Sequence, residues 1–337
     1  MKIVIDCRMA HKSGIGTVTQ SILENLPKYH DYTLIGESSD KYLNSFGYEI
    51  IDCDIPIFSL KELFFFPVSQ INNFDAFLSI NWNVPLGIKI PVYSFIHDVI
   101  YLDVKGLLNP ISRAVRYFYM LYTVLKSEKI FTVSEFSKNR IIQHYKCTEK
   151  VVVSYIDVNK KLKAYASSNL YLKKTEDYFI FVGNVKPHKG IQLLIDAFLR
   201  QSSALKLYIV GEQNNFLTGL SIDIEKYKNI KFTGKISDEE LYQLMMNAKA
   251  LVLPSEYEGF GIPPLEALWL NTPVIISDIP VFKEVYSDFP VLFFKNKDVD
   301  DLAQKLTQVR SIEFDRNLLN RFNAKNMVTV VFNTIRN

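Results

Sequence analysis

Short runs of β-branched and aromatic residues alternate with longer amphipathic stretches along the sequence, and the alternation restarts once. The predicted strands cover 2–7, 32–36, 76–80, 92–96, 129–133 and 151–155 in the first half, and 178–182, 206–210, 231–232, 250–253 and 274–277 in the second. Strands that alternate with helices form parallel sheets with both faces covered. A length of 337 residues also exceeds that of most single domains. The sequence therefore predicts two consecutive α/β domains.

The domain boundaries follow from where the alternation stops. Residues 157–177 are rich in Lys, Ser, Asn and Tyr without clean periodicity, which predicts a linker. It separates an N-terminal domain over 1–156 from a C-terminal domain over 178–316. Residues 317–337 predict a terminal helix, for which a return to the N-terminal domain is one option. Ser237 with Glu240 three residues later predicts a capping box at a helix start.

Composition excludes several classes of protein. A net charge of +3, with no Lys/Arg cluster, does not suit nucleic-acid binding. No run approaches 18 apolar residues, so a membrane span is not expected, and residues 1–6 are typical of a strand rather than a signal peptide. The three cysteines are widely spaced and form no CxxC pattern, which favours reduced thiols. A cytoplasmic protein is expected.

The most informative motif is the segment 254–267, which follows a predicted strand and enters a helix. Pro263 and Pro264 suit a first helical turn, where a missing N–H costs little. Gly259 and Gly261 allow close approach of a ligand to the backbone, and the free N–H groups of a helix start favour a phosphate there. Two carboxylates, Glu258 and Glu266, flank this segment. Beside a phosphate they are best explained as acceptors for sugar hydroxyls.

The stretch Glu-Gly-Phe-Gly-Ile-Pro-Pro-Leu-Glu, with seven residues between its acids, resembles the EX7E motif of glycosyltransferase family 4. The resemblance covers nearly the whole chain. It implies the GT-B fold, in which two Rossmann-like doubly wound domains face each other across a cleft. The N-terminal domain would bind the acceptor and the C-terminal domain the nucleotide sugar. The implied reaction is sugar transfer from a nucleotide diphosphate to a hydroxyl with retention of anomeric configuration.

The resemblance also assigns roles within this motif. It implies that Glu258 hydrogen-bonds the donor sugar and that Glu266 holds the ribose. The backbone around Gly259, Phe260, Gly261 and Ile262 would lie against the sugar and phosphates.

The segment 181–190 also has a strand, a loop and a helix start in sequence. Lys189 matches the lysine that neutralises the leaving diphosphate in the family, and a point cation suits that developing charge. The family often has Gly-Arg where this chain has Gly183 and Asn184, so one expected cation is missing. His188 is a candidate to compensate, with an exposed loop histidine as the alternative. The family places the nucleotide base near Gly211 and Ile236.

Ser13-Gly14-Ile15-Gly16 follows the first strand and opens a helix. By position it resembles the family loop that reaches the phosphates, with Gly14 and Gly16 allowing hydrogen bonds from the backbone. A dinucleotide site would need a third glycine where this chain has Thr19, which weakens an oxidoreductase reading. Arg8 is either a cleft residue or a surface arginine.

His97 and Asp98 end a predicted strand, where ligands collect in open α/β sheets. They resemble the family's His-Asp pair, which implies that His97 contacts a sugar hydroxyl or steadies charge near the anomeric carbon. Asp98 either lines the same site or orients a loop. Ser134 is expected to cap a helix, with a place beside the cleft as the alternative.

Aromatic residues are concentrated at 63–67 and 117–122, the latter beside Arg113 and Arg116. Core packing is the favoured explanation for most of them, and contact with a membrane-borne acceptor is the alternative.

Two Asp-x-Asp sequences, at 52–54 and 298–300, lie away from the motifs above, so no metal and no other cofactor are expected. Lys189 and helix dipoles would take the place of a metal. No carboxylate stands out as a nucleophile, which favours a same-face displacement over a covalent intermediate. Alternatives are a phosphorylase-like enzyme with a pyridoxal cofactor, a nucleotide-sugar epimerase and an inactive nucleotide-sugar-binding module.

The segments 13–16, 96–99 and 133–137 resemble bacterial mannosyl- and rhamnosyltransferases of surface-polysaccharide synthesis. GDP-mannose is therefore the favoured donor, followed by UDP-hexoses and deoxysugar donors. The expected acceptor is a glycan or lipid-linked oligosaccharide at the cytoplasmic face of the membrane.

Overall fold

The computed structural model describes residues 1–170, 174, 176–201, 204–211 and 227–336, which form two compact units. The first unit combines Met1–Asn159 with the stretch that begins at Phe322, and the second unit is Lys160–Arg321. Each unit contains one parallel sheet with helices in its crossover connections. The predicted class, two Rossmann-like doubly wound domains, is confirmed.

The first unit contains a seven-stranded sheet in the order β3-β2-β1-β4-β5-β6-β7. Its strands are β1 (Lys2–Asp6), β2 (Asp31–Gly36), β3 (Glu49–Asp52), β4 (Ala76–Ser79), β5 (Val92–Phe95), β6 (Ser127–Thr132) and β7 (Val151–Val153). Its helices are α1 (Ser13–Leu23), α2 (Lys41–Asn44), α3 (Leu60–Phe65), α4 (Val68–Ile71), α5 (Ile100–Asp103), α6 (Pro110–Lys126), α7 (Glu135–Tyr145) and the last helix, α14 (Ala324–Arg336).

The second unit contains a six-stranded sheet in the order β10-β9-β8-β11-β12-β13. Its strands are β8 (Tyr178–Val182), β9 (Lys206–Val210), β10 (Ile230–Gly234), β11 (Ala250–Leu253), β12 (Val274–Ser277) and β13 (Leu292–Phe294). Its helices are α8 (Lys160–Asn169), α9 (Ile191–Phe198), α10 (Asp238–Asn247), α11 (Ile262–Trp269), α12 (Pro280–Tyr286) and α13 (Val299–Thr307).

Local sequence explains where several elements begin. The central strands β4, β5, β11 and β12 are buried along their whole length, as expected for parallel strands covered on both faces. Asn109 caps α6 by accepting a hydrogen bond from the Ser112 N–H, with Pro110 in the first turn. The predicted capping box is confirmed, because Ser237 and Glu240 bond each other's backbone N–H groups.

Each sheet has a point at which the strand order reverses. In the first sheet it lies between β1 and β4, and in the second between β8 and β11, which pair in parallel. The loops that leave these two strand pairs separate at the carboxyl edge, and ligands of open α/β sheets bind in the resulting crevice. The fold therefore indicates the loops after β1, β4, β8 and β11 as candidate ligand-binding segments.

The segment 157–177, predicted as a linker, contains a helix. Leu162 and Ala166 of α8 are buried, and α8 packs against α10 and α11 of the second unit. Residues 171–173 and 175 of this segment lie outside the described residues. At the other end of the chain, α14 packs against α1 within the first unit.

The aromatic residues at 63–67 and 117–122 divide into two groups. Tyr117, Tyr119 and Tyr122 are partly buried against core clusters. Core packing is wrong for Phe64 and Phe118, whose relative exposures are 75% and 65%. Within the described ranges, no helix combines the length and the apolarity that crossing a bilayer would need.

Candidate active site

The loops that follow β8 and β11 bring Lys189 and Glu258 together. The Lys189 Nζ donates to Glu258 Oε1 at 2.5 Å, and the Ser255 hydroxyl donates to the same oxygen at 2.7 Å. The Lys189 side chain keeps 19% of its surface exposed and that of Glu258 keeps 11%. This cation and this anion therefore lie at the strand-order reversal of the second sheet and remain accessible.

Buried hydrogen bonds fix the positions of these two loops. Ser255 is fully buried, and its carbonyl accepts a hydrogen bond from the Ser277 hydroxyl at 2.5 Å. The Glu256 N–H donates to the His188 carbonyl at 2.8 Å, which joins the β11 loop to the β8 loop. Because Ser255 is anchored, its hydroxyl orients the Glu258 carboxylate. Sequence reasoning missed Ser255 and Ser277.

Two glycines allow the loops to approach their neighbours closely. Gly190 has a φ of +66°, and a Cβ there would lie 2.1 Å from the Pro254 carbonyl oxygen. Gly261 has a φ of +83°, and a Cβ there would lie 2.4 Å from the Phe282 ring. Any other residue would strain the backbone and displace the adjoining loop or ring.

The two helices that start from these loops have glycine at their N-caps. Among the described residues, no side chain caps α9 at Gly190 or α11 at Gly261. First-turn N–H groups have no partner within their own helix, so the start of α9 offers donors to an anion. In α11 the next two residues, Pro263 and Pro264, have no N–H, which leaves Ile262 as its first-turn donor. Ile262 begins α11 and is half-buried.

The other predicted donor-binding residues lie around these starts. Gly259 and Phe260 are buried, and the Phe260 ring packs edge-on against Tyr286. The Tyr286 hydroxyl donates to the Gly261 carbonyl at 2.5 Å. Gly211 follows β9, where its N–H donates to the Gly234 carbonyl at 3.1 Å, and the half-buried Ile236 follows β10.

Glu266 lies within α11 and is half-buried. Burial, together with the negative charge of Asp238, raises the pKa of its carboxyl to about 7. Asp238 is the first residue of α10, directly after the capping serine. At neutral pH Glu266 therefore both donates and accepts hydrogen bonds in part of the population. Sequence reasoning missed Asp238, which acts on a residue 28 positions along the chain.

His188 does not replace the missing arginine. Its side chain is buried, and burial with the neighbouring Lys189 and Lys186 charges lowers its pKa to about 3. The alternative of an exposed loop histidine is wrong as well. Its Nδ1 finds no hydrogen-bond partner in the described parts of the chain. Asn184 is exposed. A neutral imidazole cannot neutralise a diphosphate, so Lys189 is the cation of this loop that also contacts Glu258.

In the first unit, Gly14 and Gly16 lie in the first turn of α1. No described side chain caps this helix at Lys12. A Cβ at Gly16 would lie 2.9 Å from the Ala10 carbonyl oxygen, so the helix start packs tightly on the loop after β1. The Gly16 N–H donates to the Lys12 carbonyl at 2.9 Å, so it is not available to a phosphate. The Gly14 N–H lies earlier in the turn, where an α-helix offers donors to an anion.

Arg8 is buried, which excludes the surface position. Its guanidinium contacts Asp6 and Glu62 at 2.6 Å each and donates to the Ile55 carbonyl at 3.1 Å. The Asn83 amide donates to the same Glu62 oxygen at 2.6 Å. Two carboxylates and a carbonyl thus occupy the guanidinium, and Arg8 serves as a link between β1, α3 and the loop after β4.

Two asparagines in the loop after β4 are incompletely paired. Asn81 Nδ2 and Asn83 Oδ1 are buried without a hydrogen-bond partner among the described residues. The Tyr119 hydroxyl of α6 shares this property. Buried polar atoms are nearly always paired, so this edge of the first sheet suits a polar occupant.

His97 is a neutral hydrogen-bonding group. Its Nε2 lies 2.9 Å from the Ile80 carbonyl, which can only accept, so Nε2 carries the proton. The ring stacks on Phe95, and burial lowers its pKa. Nδ1 is then an acceptor, which suits a sugar hydroxyl better than a negative charge. Asp98 accepts from the Ile100 N–H, and Ser134 caps α7 by accepting from the Ser137 N–H.

The two Asp-x-Asp sequences have structural roles. Asp52 accepts a hydrogen bond from the Ser38 N–H, and Asp298 caps α13. The described residues contain no group of three or more His, Cys, Asp or Glu side chains arranged to hold a metal ion.

Comparison with known proteins finds a family model that is similar to part of the chain. Residues 166–326 match the sequence model of glycosyl transferases group 1. The match covers most of the second unit, which is similar to group 1 glycosyltransferases over these residues. Lys189, Glu258 and Glu266 all lie within the matched residues, so the candidate site of the second unit is part of what the family model covers.

Curated relatives extend the similarity beyond the family model. The chain is 35% identical over 210 residues to the O-antigen chain mannosyltransferase RfbU of Salmonella typhimurium, which covers 61% of this chain and 57% of that protein. It is 34% identical over 137 residues to the serotype-specific mannosyltransferase WbdA of Escherichia coli, which covers 39% and 17%. The chain thus spans little more than half the length of the first of these relatives and less of the second.

Solved structures resemble the whole chain. The Anabaena protein HepE, solved in complex with UDP-glucose, aligns with a TM-score of 0.76 at 16% identity over 100% of this chain and 99% of that one. WaaG, a glycosyltransferase of lipopolysaccharide biosynthesis, aligns with a TM-score of 0.66 at 15% identity over 98% and 95%. This likeness shows the fold, GT-B, for a chain that contains both units.

Proposed function

We propose that this chain transfers a hexose, with retention of anomeric configuration, from a nucleotide sugar to a hydroxyl of a glycan or lipid-linked oligosaccharide. The observation that carries the proposal is the Lys189–Glu258 pair between two helix starts at the strand-order reversal of the second sheet. A donor sugar nucleotide presents hydroxyls and a diphosphate. This site offers a carboxylate, a cation and amide donors that suit those groups.

The proposed chemistry is a same-face displacement. The bond between the anomeric carbon and the diphosphate oxygen breaks, and the nucleotide diphosphate leaves with the electron pair. The acceptor oxygen bonds to the anomeric carbon on the same face, and its proton passes to the departing phosphate oxygen. Lys189, the first-turn amides of α9 and the Ile262 N–H of α11 stabilise the charge that develops on the leaving group. Glu258 orients the sugar, and Glu266 holds the ribose.

Residues of the first unit complete the proposal. The His97 Nδ1, an acceptor in the tautomer described above, would take a hydrogen bond from a sugar hydroxyl. The first-turn amide at Gly14 would contribute a donor to a phosphate. We propose that no metal or other cofactor takes part, because Lys189 and the first-turn amides supply positive charge to the leaving group.

GDP-mannose is the donor we favour, because relatives at 34–35% identity are named mannosyltransferases. Their names also support a growing surface polysaccharide as the acceptor, built at the inner face of the cell membrane. A UDP-hexose is the second candidate, since HepE was solved with UDP-glucose. A deoxysugar nucleotide and an inactive binding module complete the alternatives.

Nucleotide release from a panel of donors tests the proposal: GDP-mannose, GDP-fucose, UDP-glucose, UDP-galactose, UDP-GlcNAc and dTDP-rhamnose, each with and without EDTA. We expect slow hydrolysis of GDP-mannose that is insensitive to EDTA and absent in Glu258→Ala. Turnover that survives in Glu258→Ala would refute the site. Binding of a donor with no turnover, even with oligosaccharide acceptors added, would identify a binding module.

A further inference from the structure

Three aromatic side chains surround the guanidinium of Arg116 in the first unit. Its central carbon lies 4.0 Å from the ring centre of Tyr101, 5.6 Å from that of Phe58 and 5.7 Å from that of Trp82. Phe58 and Trp82 stack on each other, with ring centres 4.8 Å apart and an angle of 26° between the ring planes. We call the following four residues the Arg116 cluster: Phe58, Trp82, Tyr101 and Arg116.

The Arg116 cluster lies at the carboxyl edge of the first sheet, where ligands of open α/β sheets collect. Phe58 belongs to the loop after β3, Trp82 to the loop after β4, and Tyr101 to α5, which follows β5. The loop that contains Trp82 also contacts His97, because the Ile80 carbonyl accepts a hydrogen bond from the His97 Nε2. The cluster is therefore connected to the residue for which a sugar contact is proposed above.

The N–H groups of Arg116 are available to a ligand. Within the parts of the chain that the structure describes, this half-buried guanidinium forms no ion pair and donates no hydrogen bond. A guanidinium carries five N–H donors in a fixed plane. By contrast, the guanidinium of Arg8 at the same edge is occupied by Asp6, Glu62 and a backbone carbonyl. The rings thus hold Arg116 in place without using its donors.

Phe58 is exposed and adopts a strained backbone conformation. Its φ is +66°, in the left-handed region that bulky residues rarely adopt. Buried contacts maintain this conformation, since the Phe58 N–H donates to Glu62 Oε2 at 2.9 Å and Glu62 is paired with Arg8. The Phe58 residue nevertheless keeps 46% of its surface exposed. Strained residues held by their surroundings are concentrated at ligand-binding sites, which favours a binding role for this exposed ring.

The residues on either side of Trp82 have polar atoms without partners. Among the described residues, the buried Asn81 Nδ2 and Asn83 Oδ1 find no hydrogen-bond partner. The Tyr119 hydroxyl is unpaired in the same way, and its ring packs edge-on against Trp82 with ring centres 5.5 Å apart. A ligand hydroxyl or a bridging water would satisfy these atoms. Polar groups that can donate and accept therefore lie directly beside the stacked rings.

We propose that the Arg116 cluster binds a sugar unit of the acceptor glycan other than the one that reacts. The C–H face of the sugar would lie on the exposed Phe58 ring, and the Arg116 N–H groups would donate to its oxygens. A phosphate fits less well, because it would use the guanidinium and leave the exposed ring without a contact. The acceptor glycan rests on the proposed function, whereas binding of a free oligosaccharide does not.

Calorimetric titration of the full chain with mannotriose, maltotriose and cellotriose tests the proposal. We expect at least one of the three to bind wild type. Its Kd should rise about tenfold in Phe58→Leu, which removes the flat ring, and should be retained in Phe58→Tyr. Arg116→Gln should also raise the Kd about tenfold, because it removes the donors to the sugar oxygens. Phe64→Leu is the matched control, since Phe64 is an exposed phenylalanine of α3, and should bind as wild type does.

The other outcomes also decide. The proposal is overturned if wild type binds none of the three oligosaccharides, or if Phe58→Leu and Phe64→Leu bind them equally. Binding of pyrophosphate that is lost in Arg116→Gln, without binding of any oligosaccharide, would assign the cluster to a phosphate instead.

Donor hydrolysis without acceptor separates this proposal from the proposed function. We expect Phe58→Leu and Arg116→Gln to hydrolyse the donor at the wild-type rate. Should Phe58→Leu lose this activity through misfolding, Arg116→Gln decides, because its residue lies on a different element. If wild type turns over no donor while oligosaccharide binding still depends on Phe58 and Arg116, the proposed function fails and the binding site stands.

Discussion

The carboxyl edges of the two sheets have the same topology and use their charges differently. At the second sheet, one cation meets one anion, Lys189 and Glu258, and both keep part of their surface exposed. At the first sheet, Arg8 is enclosed by Asp6 and Glu62, and the side chains of Arg8 and Glu62 are 4% and 1% exposed. Burial also raises the pKa of the Glu62 carboxyl. The Lys189–Glu258 pair is thus one that a ligand can rearrange, whereas the cluster around Arg8 maintains the fold.

The largest expected effect concerns the enclosed cluster. Arg8→Met leaves two carboxylates buried without their cation, which should lower the free energy of unfolding by about 3–5 kcal/mol. Urea unfolding measures it. Arg200→Met removes an exposed pair with Asp300 and should change stability by less than about 1 kcal/mol. If the free energy of unfolding falls equally little in both variants, the enclosed cluster contributes no more to stability than an exposed ion pair does.

The accessible pair should matter for catalysis instead. Lys189→Ala removes the cation facing the departing diphosphate and should reduce the rate of nucleotide release by about 10²–10³-fold. Lys186→Ala, three residues earlier and exposed, is the control and should retain most of the rate. An equal reduction in both variants would indicate a general effect of positive charge rather than the contact with Glu258.

Ser255→Ala sharpens the same comparison, because it leaves both charges in place and removes the hydroxyl that orients Glu258. We expect kcat to fall about tenfold with little change in the KM for the donor, as is usual when a hydrogen bond to a positioned charged group is lost. Ser277→Ala removes a buried hydrogen bond to the Ser255 carbonyl and should lower the free energy of unfolding about as much as Ser255→Ala does. If both serine variants lose equal activity, Ser255 is structural.

The last effect concerns stability and is the pH dependence of Glu266. Its pKa of about 7 lies above the ordinary 4.5, so the folded protein binds more protons than the unfolded chain between those values. Stability from this group therefore falls as pH rises from about 4.5 to 7. Glu266→Gln should remove that loss, which is about 2–3 kcal/mol between pH 5 and pH 8 for a pKa difference of this size, measured as urea stability at the two pH values. The exposed Glu313→Gln should show no such difference.

The sequence predicted the central strands and missed two at the edges. β3 and β13 each pair with a single neighbour at one edge of a sheet, and neither is buried along its whole length. Their apolar patterns are therefore short and incomplete, and a strand at the edge of a sheet can form with such a pattern. The sequence did not predict helix α8 for a related reason, since only Leu162 and Ala166 of its ten residues are buried.

The sequence predicted individual residues of the site but not the contacts between them. Lys189 and Glu258 were each singled out from local motifs, yet their ion pair joins loops 69 residues apart. The Arg8 cluster likewise depends on Glu62, 54 residues away. His188 was misjudged because two lysines and burial, rather than its own neighbours in a motif, set its charge. Pattern alone also could not tell that Phe118 faces outward while Tyr117 packs inward.

The position of α14 has a consequence for synthesis on the ribosome. Its residues Met327, Val328, Val331, Phe332 and Ile335 are buried within the first unit, although the whole second unit is translated before them. The sheet of the first unit is thus complete in sequence by residue 153 but remains uncovered where α14 packs until residues 324–336 have left the exit tunnel. Meanwhile the second unit can form, because its segments are contiguous in the chain. The unit made first is therefore the last to be finished.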